Sequence, residues 1–288
     1  MPAVELTDMP RRVRALVGRH PVPAFFALTY LLSWTAWAPL VASGAPPGLR
    51  TTLLILVGGF GPAVAAAVVT WAAGDGVRAW ASQLLHWRVG ARWWAVALLL
   101  PAATVTTAGA LAVLAFGRPF APESLGAAAT YPLTMTFVFL AGGGNEEPGW
   151  RGFALPRLQA RFSALAASLV VGVGWVVWHL PLFAIPGSAQ AGLPLHFYAV
   201  AVLAESVVFT WLYNGSGGSV LLAMTLHASV NNATVFYLAG GSAAISTPLA
   251  YGLFTAVIVA VALAIVWYHG PERLASGEVP RGPPGVDG

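Results

Sequence analysis

The chain has 288 residues, of which 58% are hydrophobic and 8% charged, where a soluble domain carries roughly a quarter charged residues. This is the composition of a membrane protein. All 14 basic residues are arginine, dispersed over short connecting segments, which argues against a nucleic-acid-binding patch despite the net charge of +4; the absence of cysteine excludes disulfides, thiolate catalysis and cysteine-held metal sites.

Arg11, Arg12, Arg14 and Arg19 precede an apolar run from about Val22 to Ala42. The run is long enough to span, and no Ala-x-Ala type cleavage site follows closely, so it is expected to be a retained first transmembrane helix rather than a signal peptide. At about 20 apolar residues per span, the hydropathy pattern predicts eight helices near 22–42, 51–73, 93–116, 131–157, 163–185, 194–213, 218–238 and 246–268. The expected fold is therefore all-α and polytopic, around a polar intramembrane cavity. Residues 1–21 form an expected cytoplasmic N-terminal segment, 22–268 the transmembrane domain, and 269–288 a disordered cytoplasmic tail rich in proline and glycine. Twelve of the fourteen arginines fall on the side of the N-terminus when segments alternate across the bilayer. Both termini of this cell-membrane protein are thus expected to be cytoplasmic.

Between the second and third spans, residues 77–92 alternate Trp80, Leu84, Leu85 and Trp87 with Arg78, Gln83, Arg88 and Arg92. That amphipathic pattern suits a segment lying on the inner leaflet, or a connecting loop anchored by tryptophan.

The fourth predicted span contains Glu146-Glu147-Pro148-Gly149-Trp150-Arg151. Ionisable groups at bilayer depth cost from about 2.5 kcal/mol upward, so they persist mainly where they pair or do chemistry. Glu147 and Arg151 are four residues apart with the acid first, the favourable order for a helical ion pair. Glu146 lies about 100° away around the helix, free to face a cavity and act as a general base. Pro148 clashes with the carbonyl of Gly144 in a continuous helix, so a kink is expected beside the acids, reinforced by Gly142, Gly143, Gly144 and Gly149. Broken backbone at this depth requires protein or a water-filled cavity around it.

His179 ends the fifth span, Glu205 lies in the sixth, and His227 and Asn231 share one face of the seventh at a spacing of four. Asn232 points elsewhere, toward an expected hydrogen bond with a neighbouring helix. Glu146 and His179 differ in expected depth by roughly 7 Å, which tilt can absorb. Glu205 lines the cavity, pairs across helices or is protonated in place; the sequence assigns it no role.

The string from Glu146 to Pro156 resembles the EExxxR signature of the CPBP family, the CAAX proteases and bacteriocin-processing proteins. Trp175-Val-Val-Trp-His179 is similar to its FxxxH motif, and His227-Ala-Ser-Val-Asn231 to its HxxxN motif. The resemblance covers about 131–238, and three ordered motifs make it fairly specific. It implies an intramembrane endopeptidase using a glutamate-activated water, although metal-dependent mechanisms have also been proposed for the family. Glu146 is then the expected base, with His179 orienting the water, His227 and Asn231 stabilising the oxyanion, and Glu147 with Arg151 supporting the site. Trp175 stands where the motif has phenylalanine, an exchange of aromatics expected to preserve packing.

The expected partners are a membrane-associated or prenylated-type protein or peptide substrate and the lipid bilayer, with no nucleic acid and no cofactor. Zinc is an alternative, since two histidines and a glutamate match a catalytic ligand set by type, but no HExxH motif is present. Two other classes compete: a transporter or proton-coupled protein using the same buried polar residues, and a non-catalytic immunity or binding protein.

Overall fold

The computed structural model describes residues 11–44, 46–121, 125–239 and 244–280. Among them all regular structure is helical, apart from a single bridge between Ala121 and Ala239. In chain order the helices are α1 (Arg11–Arg19), α2 (Pro21–Ser43), α3 (Leu49–Gly59), α4 (Gly61–Ala73), α5 (Val77–Ser82), α6 (Ala91–Phe116) and α7 (Leu125–Ala141). They continue as α8 (Glu147–Gly149), α9 (Leu155–Gln159), α10 (Ala164–His179), α11 (Leu195–Gly215), α12 (Val220–Asn232) and α13 (Pro248–His269).

Among the described residues, six stretches are long and apolar enough to cross a membrane: Pro21–Ser43, Leu49–Ala73, Ala91–Phe116, Ala164–Ala184, Leu195–Gly215 and Pro248–His269. The protein is thus a helical polytopic membrane protein. Leu31, Leu53, Leu99, Leu114, Leu133, Val173 and Leu263 point outward from the bundle, an apolar exterior whose natural solvent is hydrocarbon.

Two of the eight expected spans are not continuous helices of spanning length, and these are the two that carry charged or amide motif residues. The stretch expected at 131–157 breaks after Ala141 and restarts as a 3₁₀ turn, Gly144–Glu146, followed by α8, a π-helical turn Trp150–Ala154, and α9. The stretch expected at 218–238 is a helix of 13 residues, α12, extended by a 3₁₀ turn to Phe236. Both are enclosed by other helices: α12 packs against α6, α7, α8 and α11, and α8 packs against α4. Enclosure explains why the breaks are tolerated, because protein rather than lipid meets the irregular backbone.

The break lies within the expected glycine stretch, but Pro148 does not cause it. Pro148 sits in the first turn of α8, where its missing N–H removes no helical hydrogen bond. The discontinuity falls instead at Gly143, whose φ of 140° only glycine adopts readily. Asn145 secures it: its Oδ1 accepts from the Gly143 N–H at 3.0 Å, and its Nδ2 donates to the Gly59 carbonyl at 2.9 Å.

The amphipathic segment packs in part against the motif helix. Trp80 is buried and donates to the Pro148 carbonyl at 3.1 Å, and Gln83 Nε2 donates to the Gly152 carbonyl at 3.1 Å. Leu85 and Trp87 remain outward.

The C-terminal segment likewise departs from the expected disorder over its described part. Residues 271–280 fold against the start of α10, where Ala164 N–H donates to the Glu272 carbonyl and Leu165 N–H to the Pro271 carbonyl. Leu274 is completely buried, so an apolar anchor offsets the ordering cost that the proline and glycine content suggested would prevail. Pro283 and Pro284 lie outside the described residues, as does the N-terminal stretch 1–10.

Candidate active site

The hexapeptide and the motifs of α10 and α12 meet on one cavity of about 800 Å³, whose wall includes Glu146, Trp175, His179, Glu205, His227 and Asn231. This volume accommodates a short extended peptide segment, at the upper end of ordinary ligand sites. Glu146 and His179 thus reach the same cavity despite the difference in depth read from the sequence.

The two adjacent acids have different surroundings. Glu147 is fully enclosed: Arg151 Nη1 donates to both of its oxygens at 3.0 Å, and His227 Nδ1 donates to Oε1 at 2.8 Å. The Arg151 guanidinium lies 4.8 Å from the Trp175 ring and 4.2 Å from the Phe209 ring, with Nη2 3.4 Å from Ser206 Oγ on α11. This buried pair therefore joins three segments of chain: the motif helix, α11 and α12. With zero exposure at both partners, neither reaches the cavity.

Glu146 is buried but borders the cavity. Two indoles converge on one oxygen: Trp150 Nε1 donates to Oε2 at 3.1 Å and Trp175 Nε1 at 2.8 Å. Neither indole was singled out as a partner from the sequence, although Glu146 and Trp150 show the same i, i+4 spacing that revealed the Glu147–Arg151 pair. Trp175 was read as an aromatic for packing alone; its N–H makes a polar contact that phenylalanine lacks.

His179 is buried at the end of α10, with Nδ1 2.9 Å from the Trp175 carbonyl. A carbonyl only accepts, so Nδ1 carries the hydrogen, and in the neutral ring Nε2 is left as an acceptor. Tyr198 lies edge-on to this imidazole at 5.5 Å and also lines the cavity.

On α12, His227 directs Nδ1 to Glu147, so Nε2 is its remaining polar atom. Asn231 Nδ2 donates to the Gly142 carbonyl at 2.8 Å, which uses one of its two amide hydrogens. Both groups close on the chain break: a Cβ placed on Gly143 would stand 2.5 Å from His227 Nε2 and 2.6 Å from Asn231 Nδ2. Asn232, by contrast, bonds back to the Ala228 carbonyl of its own helix at 2.8 Å, not to a neighbouring helix as expected. Its position one residue from the cavity-facing Asn231 places it within reach of the preceding turn.

Glu205 is buried on α11 and lines the same cavity. As for a metal, among the described residues no three His, Cys, Asp or Glu side chains are grouped to hold one.

Fold and site define a polytopic membrane protein with a carboxylate, two imidazoles and a carboxamide gathered at a buried polar cavity. Residues 128–233, which contain all of these groups, match the family described as Type II CAAX prenyl endopeptidase Rce1-like. A curated relative, CAAX prenyl protease 2 of Methanococcus maripaludis, is 32% identical over 102 residues, covering 33% of this chain and 37% of the relative. The likeness thus spans little more than a third of the relative's length.

Proposed function

We propose that this protein is an intramembrane endopeptidase that hydrolyses a peptide bond with a water activated by Glu146. The observation that carries the reading is the contrast between the acids: Glu147 is consumed by Arg151 and His227, whereas Glu146 is held through one oxygen at the wall of the cavity.

In the reaction, Oε1 of Glu146 takes a proton from water while the oxygen adds to the scissile carbonyl carbon. His179 Nε2 accepts the water's second hydrogen and so orients the attack. The carbonyl π pair moves onto oxygen, and that oxyanion receives hydrogen bonds from the free amide hydrogen of Asn231 and, when the ring carries both protons, from His227 Nε2. Collapse re-forms the carbonyl, breaks the C–N bond, and passes the proton on Glu146 to the departing nitrogen. Serine, cysteine and a metal are not needed for any step.

The cavity and the name of the Methanococcus relative, CAAX prenyl protease 2, favour a membrane-associated protein substrate, including a prenylated one. We place both termini at the cytoplasmic face of the cell membrane, on the arginine distribution, with the functional core confined to the transmembrane domain. Comparative membrane proteomics of cells carrying active and Glu146→Gln protein tests the reading. New N-termini present with the active form and absent with the variant support it. Identical termini in both, or substrate flux into proteoliposomes that depends on Glu146 without cleavage, reject it in favour of an idle binding protein or a transporter.

A further inference from the structure

Trp175 contacts three polar groups that the first two motifs supply, Glu146, Arg151 and His179. Its indole N–H reaches Glu146 Oε2 at 2.8 Å, and its own carbonyl receives His179 Nδ1 at 2.9 Å. Its ring lies 4.8 Å from the Arg151 guanidinium and edge-on to His227 at 5.3 Å, with Phe209 edge-on at 5.7 Å. With 3% exposure, the ring is confined on these sides and cannot turn its N–H away without displacing them.

The consequence concerns the carboxylate. Trp150 belongs to the same turn of chain as Glu146, so its hydrogen bond moves with the acid. Trp175 comes from α10 and is the polar tie between the acid's segment and the histidine's helix. A carboxylate with one donor can swing about its last torsion and exchange its two oxygens; with two donors converging on Oε2, the other oxygen is held as the one available to the cavity.

We propose that Trp175 is the positioning residue of this site, its indole N–H fixing Oε2 so that Oε1 of Glu146 is presented to water in register with His179. The assignment concerns this chain's departure from the phenylalanine of the second motif, and its kinetic part rests on the endopeptidase reading. The hydrogen bond itself does not.

The test uses full-length protein in detergent or nanodiscs and the variant Trp175→Phe, which keeps an aromatic ring and removes the donor. The first readout needs no substrate: infrared spectra of protein labelled with ¹³C-glutamate, taken as the difference between Glu146 and Glu146→Gln, isolate the Glu146 carboxyl band. The band moves in the Trp175→Phe background if the indole holds that carboxylate, and an unmoved band overturns the proposal. The second readout is cleavage of the substrate recovered by the proteomic comparison. The expected result is a kcat lower by about tenfold, the scale of one charge-assisted hydrogen bond, with KM unchanged. Equal kcat in the two proteins, or a loss expressed entirely in KM, overturns positioning. Failure of the endopeptidase reading looks different, as unchanged termini in cells with a band that still moves.

Discussion

His227 and Glu147 stand 2.8 Å apart, Nδ1 to Oε1, across 80 residues of sequence. The second acid of the pair, and not the first, therefore connects α12 to the motif helix. Removing its charge leaves the Arg151 guanidinium buried without a counter-ion, a defect that costs about 3–5 kcal/mol. Glu147→Gln is accordingly expected to lower the melting temperature and to lose activity through the fold. Glu146→Gln keeps a carbonyl oxygen for the two indoles, so its stability is expected to stay within about 1 kcal/mol of the parent while cleavage disappears. Thermal unfolding in one detergent, measured beside activity for both variants, separates the two acids.

Gly143 supplies a second test, because backbone and space impose the same requirement there. Its φ of 140° excludes a side chain without strain, and a Cβ would crowd His227 Nε2 and Asn231 Nδ2 at about 2.5 Å. Strain of this kind costs roughly 1–3 kcal/mol, before the displaced imidazole and amide are counted. Gly143→Ala is expected to lose most activity and to melt earlier. Wild-type kinetics in that variant would show that His227 and Asn231 are not needed where the structure puts them.

The sequence revealed the parts of this site that follow local rules. An i, i+4 spacing predicts the Glu147–Arg151 pair, which the structure forms at 3.0 Å, and the hydropathy of six spans was plain enough to locate them within a few residues. The glycines and Pro148 announced irregular backbone beside the acids, but apolar runs of similar length hid the shortness of α12, because a window average does not distinguish a helix facing lipid from one enclosed by neighbours. Trp175 and Trp150 were legible in principle, one turn from His179 and Glu146 respectively, but an indole reads first as apolar and its N–H is easily overlooked. The Glu147–His227 contact had no local signature at all, since it depends on how α12 crosses the motif helix.

The proposed water activation by Glu146 without a metal predicts the response to chelators. On that reading Glu146, held at Oε2 by two indole N–H groups, acts on water directly. Cleavage is expected to survive prolonged incubation with a strong zinc chelator, and purified active protein to contain far less than one equivalent of metal by elemental analysis. Loss of activity on chelation with recovery on adding zinc would put a metal in the reaction and overturn the metal-free reading.

The C-terminal segment links a part of the chain remote from the cavity to the helix that carries Trp175 and His179. The first amides of α10 have no partners within the helix; Glu272 and Pro271 carbonyls take those of Ala164 and Leu165, and Ser163 Oγ takes that of Ala166. Asn214 on α11 donates to the Arg273 carbonyl at 2.7 Å, and Gln159 on α9 to that of Pro280 at 3.1 Å. Truncation after Gly270 removes these acceptors together with Leu274, whose burial alone is worth about 1.5–3 kcal/mol. The truncated protein is expected to melt several degrees lower and to show faster hydrogen exchange at the start of α10. Leu274→Ala, which leaves the carbonyls in place, is expected to reproduce the loss of stability while keeping those amides protected. Unaltered melting in both variants would mean that the segment rests on the bundle without holding it.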